Sequence, residues 1–544
     1  MKVELKQIEG YAYGAIQPSI ILTFSDYSAG SNNLQKKLKN LFEYLPHFDD
    51  PKRFFSGDAS MDPISIPAAV VTFLDTLNHY CGDQRFTPIR VFKEDTSVVF
   101  ALPTLSIAMS RFNTNALKTL LDMLGQSTSS DKVHGYVDQL KNRAQSFLPA
   151  GTNACNFIAA AAKRKIPFKI FNRTYIIFGY GSGSRIFHSS ITDEESSIGI
   201  GLATSKFYTN RFLKMSGIPV AEQARVRTLK DAIQFAENIG YPIVLKPETE
   251  EQGRGIFANI QNRNDLESCF NCLIKEYNHL LIERHVLGDH YRIDFMDGKL
   301  IKAVRRRAAS VIGDGRSTIQ MLIQNLNLDP ERLDQNSSKG LVTIDEDLHR
   351  CLKNQGLRIT DILEKDKCVY LKSISNLSRG GDQVHVEHTI HPENYELCKI
   401  IARTFRLKIC GIDILSPDLS QPWHTNGAVI CEVNSQPQLG RSKTEVYWTV
   451  LSHYVKKQPE IILYICNKLG KRAASLFDTK NGSVKINTTP RDILTNGCPV
   501  QYFDAVEVSN DVADEDWQKI ERMLMSVKPE IDETVALNTH DVKR

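Results

Sequence analysis

The sequence has no apolar run approaching the roughly 18 residues that a membrane-spanning helix needs, and its opening MKVELKQIEG lacks the apolar stretch of a secretory signal. A soluble, cytoplasmic protein without membrane contact is expected. Charge of one sign is also missing. The 67 Lys and Arg against 63 Asp and Glu leave a net +4 over 544 residues, which provides no electrostatic footprint for nucleic acid. The 11 cysteines run from Cys81 to Cys498 without regular spacing, and an odd, scattered set does not make a secreted disulfide framework. Glycine and proline are sparse, at 31 and 21 residues, and no repeat or low-complexity tract is found, so collagenous, solenoid and broadly disordered classes are excluded. What is left is an ordinary globular composition, 42% hydrophobic and 24% charged, at about three to four times the length of one domain.

Residues 1 to about 150 alternate short β-like runs (Ser19 to Phe24, Ile89 to Phe92, Ser97 to Phe100) with helix-like stretches from Ile66 to Tyr80 and Asn115 to Leu124. The texture changes near residue 150. GTNACNFIAAAAKRKIPFKIF reads as an amphipathic helix feeding a strand, and YIIFGYGSGSRI as a strand with a glycine turn. Farther on, a helix around Leu229 to Ile239, the strand PIVLKP, the loop ETEEQGRG and the run IFANI continue an α/β alternation. The polar segment containing NLDPERLDQNSSKG reads as a helix and loop inserted in that unit. Beyond about 443 the pattern weakens to one strand pair, Ser483 to Ile486 and Val500 to Phe503, and a helix near Trp517 to Ser526.

Chemistry concentrates in two places. In YPIVLKPETEEQGRGI an apolar strand delivers Lys246 beside a loop whose Gly253 and Gly255 let the backbone approach a ligand, an arrangement suited to a nucleotide phosphate, although a structural turn has the same look. In CGIDILSPD and VICEVNSQP two apolar strands each carry an acid where a core strand should be apolar, Asp413 and Glu432, with Asn434 two positions on and on the same face. Three oxygen donors facing one space are what Mg²⁺ takes when it also holds nucleotide phosphates; each acid alone could equally pair with a Lys or Arg. Other clusters read as structural. CFNC at 269 to 272 lies in a helix without a second ligand pair, KRK at 163 to 165 is a helix end, and His385, His388 and His391 are polar hinge residues.

The order of FGYGSGSRI, SITDEESSIGIGLATSKFYTNRFLKMSGIPV, YPIVLKPETEEQGRGI, LLIERHVLGDHYRIDFMDGKLIKAVRRRAASVIGDG, NLNLDPERL, VYLKSISNLSRGG and GIDILSPD…EVNSQP resembles the ATP-grasp ligases, in particular the ATP-grasp parts of cyanophycin synthetases and bifunctional glutathione synthetases. The resemblance implies an ATP-grasp α/β fold, two α/β subdomains clasping ATP with a small lid at about 305–382. It implies a cyanophycin-synthetase-like α+β domain at 1–150, the ATP-grasp domain at 151–442 and an extension at 443–544. It makes Lys206 and Lys246 the two ATP lysines, Glu283 the adenine-side residue and His290 the ribose-side residue. Asp413, Glu432 and Asn434 become the ligands of Mg²⁺, with Mn²⁺ as a substitute. Arg305 and Arg306 fall near the transferred phosphate, Gly380 and Gly381 at a close-approach loop by the acyl site, and Lys372 at a basic position that could meet phosphate. Arg441 is a candidate clamp for a substrate carboxylate.

The implied activity is an ADP-forming carboxylate–amine ligase that joins amino acids or short peptides through an acylphosphate, with self-association into a homo-oligomer. Two other readings stay open: a glutathione-synthetase-like step on a γ-glutamyl substrate, and a non-catalytic, ATP-binding regulator. The pattern departs from the family at Ser205, Gln252, Ala308, Ser310 and the stretch SQPQLGRSK, so acceptor specificity does not carry over. No G-x-x-x-x-G-K-[ST] is present, and the Mur-ligase-like module that continues cyanophycin synthetases is therefore not expected.

Overall fold

The computed structural model describes the chain except for residues 1, 27–35, 38–39, 42–43, 46–54, 57–64, 95, 126–127, 250–254, 334–338, 373–374, 376, 441–443, 456–458, 468–481, 526–541 and 544. It folds as two compact units, one formed by Met1–His188 together with Tyr447–Arg544 and the other by Ser189–Val446. Among the described residues no helix is long and apolar enough to cross a membrane.

In the first unit, strands Lys2–Ile8, Ser19–Ser25, Ser97–Pro103, Ile89–Glu94 and Phe55–Ser56 form one sheet in that order. The uninterrupted apolar run of Ser97–Pro103 suits its central position, covered on its faces by residues of Ile66–Tyr80 and neighbouring helices. The segment after 446 adds a parallel sheet in the order Ser483–Thr488, Glu460–Ile465, Ala505–Val508, Val542–Lys543. Its third strand is Ala505–Val508 and not Val500 to Phe503. There Val500 is buried and the side chain of Gln501 is spent on cross-links, accepting from the Phe168 amide at 2.5 Å and donating to the Ile16 carbonyl at 2.6 Å. The sequence divides the chain near 150 and 443, whereas the compact units part after His188 and Val446.

The second unit carries both chemical clusters. Its main strands are β1 (Gln223–Val226), β2 (Ile243–Pro247), β3 (Phe257–Ile260), β4 (Leu280–Arg284), β5 (Asp289–Met296), β6 (Lys299–Arg307), β7 (Ser310–Ile312), β8 (Cys368–Tyr370), β9 (Asp382–His385), β10 (Ile409–Ser416) and β11 (Val429–Asn434). Its main helices are α1 (Ser197–Thr204), α2 (Lys206–Met215), α3 (Leu229–Ile239), α4 (Arg263–Leu273), α5 (Ile319–Leu326), α6 (Glu346–Asn354) and α7 (Pro392–Phe405). Caps define their starts: Thr228 accepts from the Asp231 amide, Asn262 from Asp265, Ser205 from Tyr208, and His391 from Glu393 with Pro392 at the first helical position.

Two antiparallel sheets result, a four-stranded one ordered β1-β4-β2-β3 and a five-stranded one ordered β9-β6-β5-β10-β11. Strand side chains alternate between faces, and in each sheet the apolar set goes to one side. Val226, Ile243, Leu245, Leu280 and Ile282 form a core with Ala232 and Ala236 of α3 and Leu266 and Phe270 of α4. Tyr291, Ile293, Phe295, Ile412, Ile414 and Val433 form another with Leu213 of α2 and Leu397, Ile401 and Phe405 of α7. The polar set of each strand is thereby left for the opposite faces. Between β6 and β9 the chain inserts a small body with its own core, in which Val311 and Val369 of the β7–β8 pair pack with Ile319, Ile323, Leu348 and Leu352.

Candidate active site

The polar face of the four-stranded sheet follows from register. Gln223 pairs with Glu283 and Glu283 with Val244, while Arg225 pairs with Leu281 and Leu281 with Lys246, so Gln223, Arg225, Glu283 and Lys246 share a face. Lys246 is buried, and its Nζ lies 2.7 Å from Glu283 Oε1, which also accepts from Gln223 Nε2. Burial alone would lower the Lys246 ammonium, but the Glu283 carboxylate outweighs it and holds the pKa above its usual value. Gly255 sits at φ +66°, and a Cβ there would meet the Pro247 ring at 2.8 Å, so this end of the loop requires glycine. Gly253 and Gln252 lie outside the described residues.

On the five-stranded sheet the same logic gathers His290, Arg292 and Asp294 of β5, Lys302 and Arg306 of β6, Asp413 of β10, and Glu432 and Asn434 of β11 on one face. Asp413 is buried at their centre. Arg292 Nη1 donates to its Oδ1 at 3.1 Å, Arg306 Nη1 lies 3.6 Å from its Oδ2, and His290 Nε2 is 3.8 Å from that same oxygen. Burial pushes the Asp413 carboxyl up, yet Arg292, Arg306 and His290 together pull it well below the carboxylate range. Arg292 also donates from Nε to Asp294 Oδ1 at 2.6 Å and lies flat over Gly411, where a Cβ would stand 2.2 Å from the guanidinium.

Glu432 responds in the opposite direction. Burial and the charge of Asp413, its direct cross-strand partner, raise its carboxyl, against the pull of Lys206, Arg292 and Lys246. Asn434, with its amide turned to satisfy both ends, donates to Glu432 Oε1 at 3.3 Å and accepts from Arg292 Nη1 at 2.7 Å. Lys206, the first residue of α2, and Lys246, near the end of β2, both lie near enough to Glu432 to lower its carboxyl. His290 is half-buried at the edge of this network, and burial, with Arg306 and Arg292 nearby, lowers its pKa to about 4 against the pull of Asp413.

Not every residue singled out in the sequence meets there. Arg305 pairs with Tyr291 and therefore projects to the face opposite Arg306, where its Nη2 binds Asp289 Oδ2 at 2.5 Å. Lys372 is buried inside the insert, with its ammonium 2.6 Å from Asp345 Oδ1 and 2.9 Å from the Thr343 carbonyl. Gly380, at φ +88° against Val342, is held by Arg332, whose Nη1 donates to its carbonyl at 2.9 Å, and Gly381 follows it into β9. Arg441 lies outside the described residues. Among the described residues no three His, Cys, Asp or Glu side chains gather as a metal cluster; after the glycine loop His385 binds Glu387 and His391 caps α7. Cys269 and Cys272 fall on α4, the first half-buried and the second exposed.

Sequence reasoning missed Arg292, Asp294 and Lys302. The signal was there: in DHYRIDFM every second residue from His290 to Asp294 is polar, a solvated or liganded face inside an otherwise apolar strand.

Residues 372–450 match the RimK-like ATP-grasp domain. The match takes in β9, β10 and β11 of the five-stranded sheet. It is similar to the cyanophycin synthetase of Trichormus variabilis, at 33% identity over 283 residues, covering 52% of this chain and 31% of that protein. It is also similar to the bifunctional glutathione biosynthesis protein of Streptococcus mutans, at 33% identity over 218 residues, covering 39% of this chain and 29% of that protein. The chain thus spans about a third of the length of these curated relatives. Among solved structures it is similar to a bifunctional glutathione synthetase from Pasteurella multocida, with 17% identity, a TM-score of 0.43, and coverage of 80% of this chain and 82% of that one.

Proposed function

We propose that the chain is an ADP-forming carboxylate–amine ligase that makes an amide or peptide bond between amino acids or short peptides. The observation that carries this reading is the convergence on Glu432 of two lysines from separate elements, Lys206 and Lys246, beside its cross-strand pairing with the buried acid Asp413. Phosphoryl transfer to a carboxylate brings together two anions, and catalysis rests on positioning and charge compensation.

The donor set fits a divalent cation. Asp413, Glu432 and Asn434 offer hard oxygen ligands on one face, and the direct cross-strand pairing of the two acids places like charges that a cation would offset. These three residues would hold Mg²⁺, which supplies charge neutralisation on the β- and γ-phosphates. Arg292 fixes the orientation of Asp413 by binding it and Asp294 at once. Lys206 and Lys246 bind phosphate oxygens, with Glu283 holding Lys246 extended until nucleotide arrives. Arg306 takes up charge on the transferred phosphoryl group.

The substrate carboxylate oxygen attacks the γ-phosphorus and ADP departs. The amine nitrogen then attacks the acyl carbon, loses a proton, and phosphate departs. The relatives named for cyanophycin and glutathione synthesis support amino acids or peptides as the substrate class. Trapping tests the first step: with MgATP, a panel of amino acids and dipeptides, and hydroxylamine, one acid should give its hydroxamate with stoichiometric ADP. ADP formation without any hydroxamate across the panel would remove the acylphosphate from the mechanism.

A further inference from the structure

Arg225 occupies a junction that the reading above does not use. It shares the polar face of the four-stranded sheet with Lys246, in one cross-strand row through Leu281. Its guanidinium carbon lies 4.2 Å from the ring centroid of Phe207 and 5.8 Å from that of Tyr208. Its Nη2 donates to Glu248. Phe207 immediately follows Lys206, and Glu248 stands two residues past Lys246.

The two neighbours are anchored in different cores. Leu213 of α2 packs with the five-stranded sheet, whereas Val226 and Leu245, beside Arg225 and Lys246, pack with α3 and α4. One guanidinium therefore touches both lysine-bearing elements, by its face on α2 and by its edge at the end of β2. Its Nε is buried and makes no hydrogen bond, so the stack and the charge-assisted bond to Glu248 set its position. A planar fork that stacks and donates at once is a task for Arg that Lys does not reproduce.

We propose that Arg225 is a positioning residue for nucleotide: through Phe207 and Glu248 it fixes the separation of Lys206 and Lys246, and so sets affinity for the diphosphate portion of ADP and ATP without touching it. This rests on the ATP-grasp ligase reading, and the test separates the two. Titration calorimetry of MgADP into the full chain compares wild type with Arg225→Ala, Arg225→Lys, Phe207→Ala, Glu248→Gln and Arg225→Ala/Glu248→Gln, with Lys246→Met as the reference for the nucleotide site.

Arg225→Ala should weaken MgADP roughly tenfold, the scale of a lost cation–π contact together with a charge-assisted bond. Arg225→Lys should fall between it and wild type, and the double variant should be no weaker than Arg225→Ala, because Glu248 acts through Arg225. With a turnover assay, KM for ATP should rise by a larger factor than kcat falls. If Arg225→Ala does not fold, Phe207→Ala and Glu248→Gln carry the same expectation. Unchanged MgADP affinity in all Arg225, Phe207 and Glu248 variants, with Lys246→Met weakened, overturns the positioning role alone. Unchanged affinity in Lys246→Met as well overturns the nucleotide reading and this inference with it.

Discussion

Asp413 and Glu432 stand directly opposite each other on β10 and β11, and the next pair, Ile414 with Ile430, skips Cys431, so a bulge adjoins the two carboxylates. Like charges placed directly across a ladder are destabilising. Arg292 and Arg306 both approach Asp413, while Glu432 is left with the raised carboxyl. Glu432→Gln should therefore stabilise the nucleotide-free protein by up to about 1 kcal/mol, seen as a higher melting temperature, and at the same time abolish Mg²⁺-dependent turnover. A lower melting temperature together with retained turnover would assign Glu432 to the scaffold.

The adjacent arginines 305 and 306 point to opposite faces of β6. Arg306→Ala should lower kcat by about 10²–10³, the range for removing one donor that meets developing charge. Arg305→Ala breaks its bond to Asp289 at a partly exposed edge and should cost turnover at least tenfold less. Steady-state kinetics on the two variants decides it, and equal losses would contradict the face assignment.

Lys372 is held by Asp345 and Thr343 inside the insert. Lys372→Met should destabilise the insert by about 1–3 kcal/mol, as removal of a buried hydrogen-bonded partner does. It should leave KM for ATP within a factor of about two. Limited proteolysis of the insert and the KM measurement separate this from a direct phosphate contact, which would raise KM at unchanged proteolytic resistance.

Asp83, in the first unit, is fully buried; burial raises its pKa to about 7 in spite of hydrogen bonds from Thr104 Oγ1 and the Leu105 and Gln84 amides. A carboxyl whose folded pKa lies above its unfolded value stabilises the fold fully below the unfolded pKa, and that contribution is lost as pH rises through about 7. Wild type should melt at lower temperature at pH 8 than at pH 5. Asp83→Asn, which keeps an acceptor for both amides, should flatten that slope. Parallel slopes for the two proteins would show that Asp83 does not set the pH dependence.

The legible parts of this molecule are those where local pattern and tertiary role agree. The helix Leu229–Ile239 lies within the bounds its apolar spacing and capping Thr228 dictate. The acids inside ICGIDILS and VICEVN stood out because an apolar strand has no other use for them. What escaped depends on contacts distant in sequence. Gln501 joins Phe168 and Ile16 across more than 300 residues, which diverts a strand-like run into a connection. Lys372 looks like a phosphate ligand until Asp345 is seen beside it, and adjacent arginines look equivalent until the pairing of β5 with β6 assigns their faces.

The central claim is the coupling of ATP cleavage to bond formation at the Asp413–Glu432 pair. Phosphate release from MgATP by the full chain, measured across a matrix of amino acids and dipeptides with mass spectrometry of the products and Glu432→Ala alongside, tests it most directly. The account predicts that one acid and amine pair stimulates release and yields a product equal to their summed mass less water, absent with Glu432→Ala. Tight MgADP binding with no stimulated release and no condensed product from any pair would contradict it.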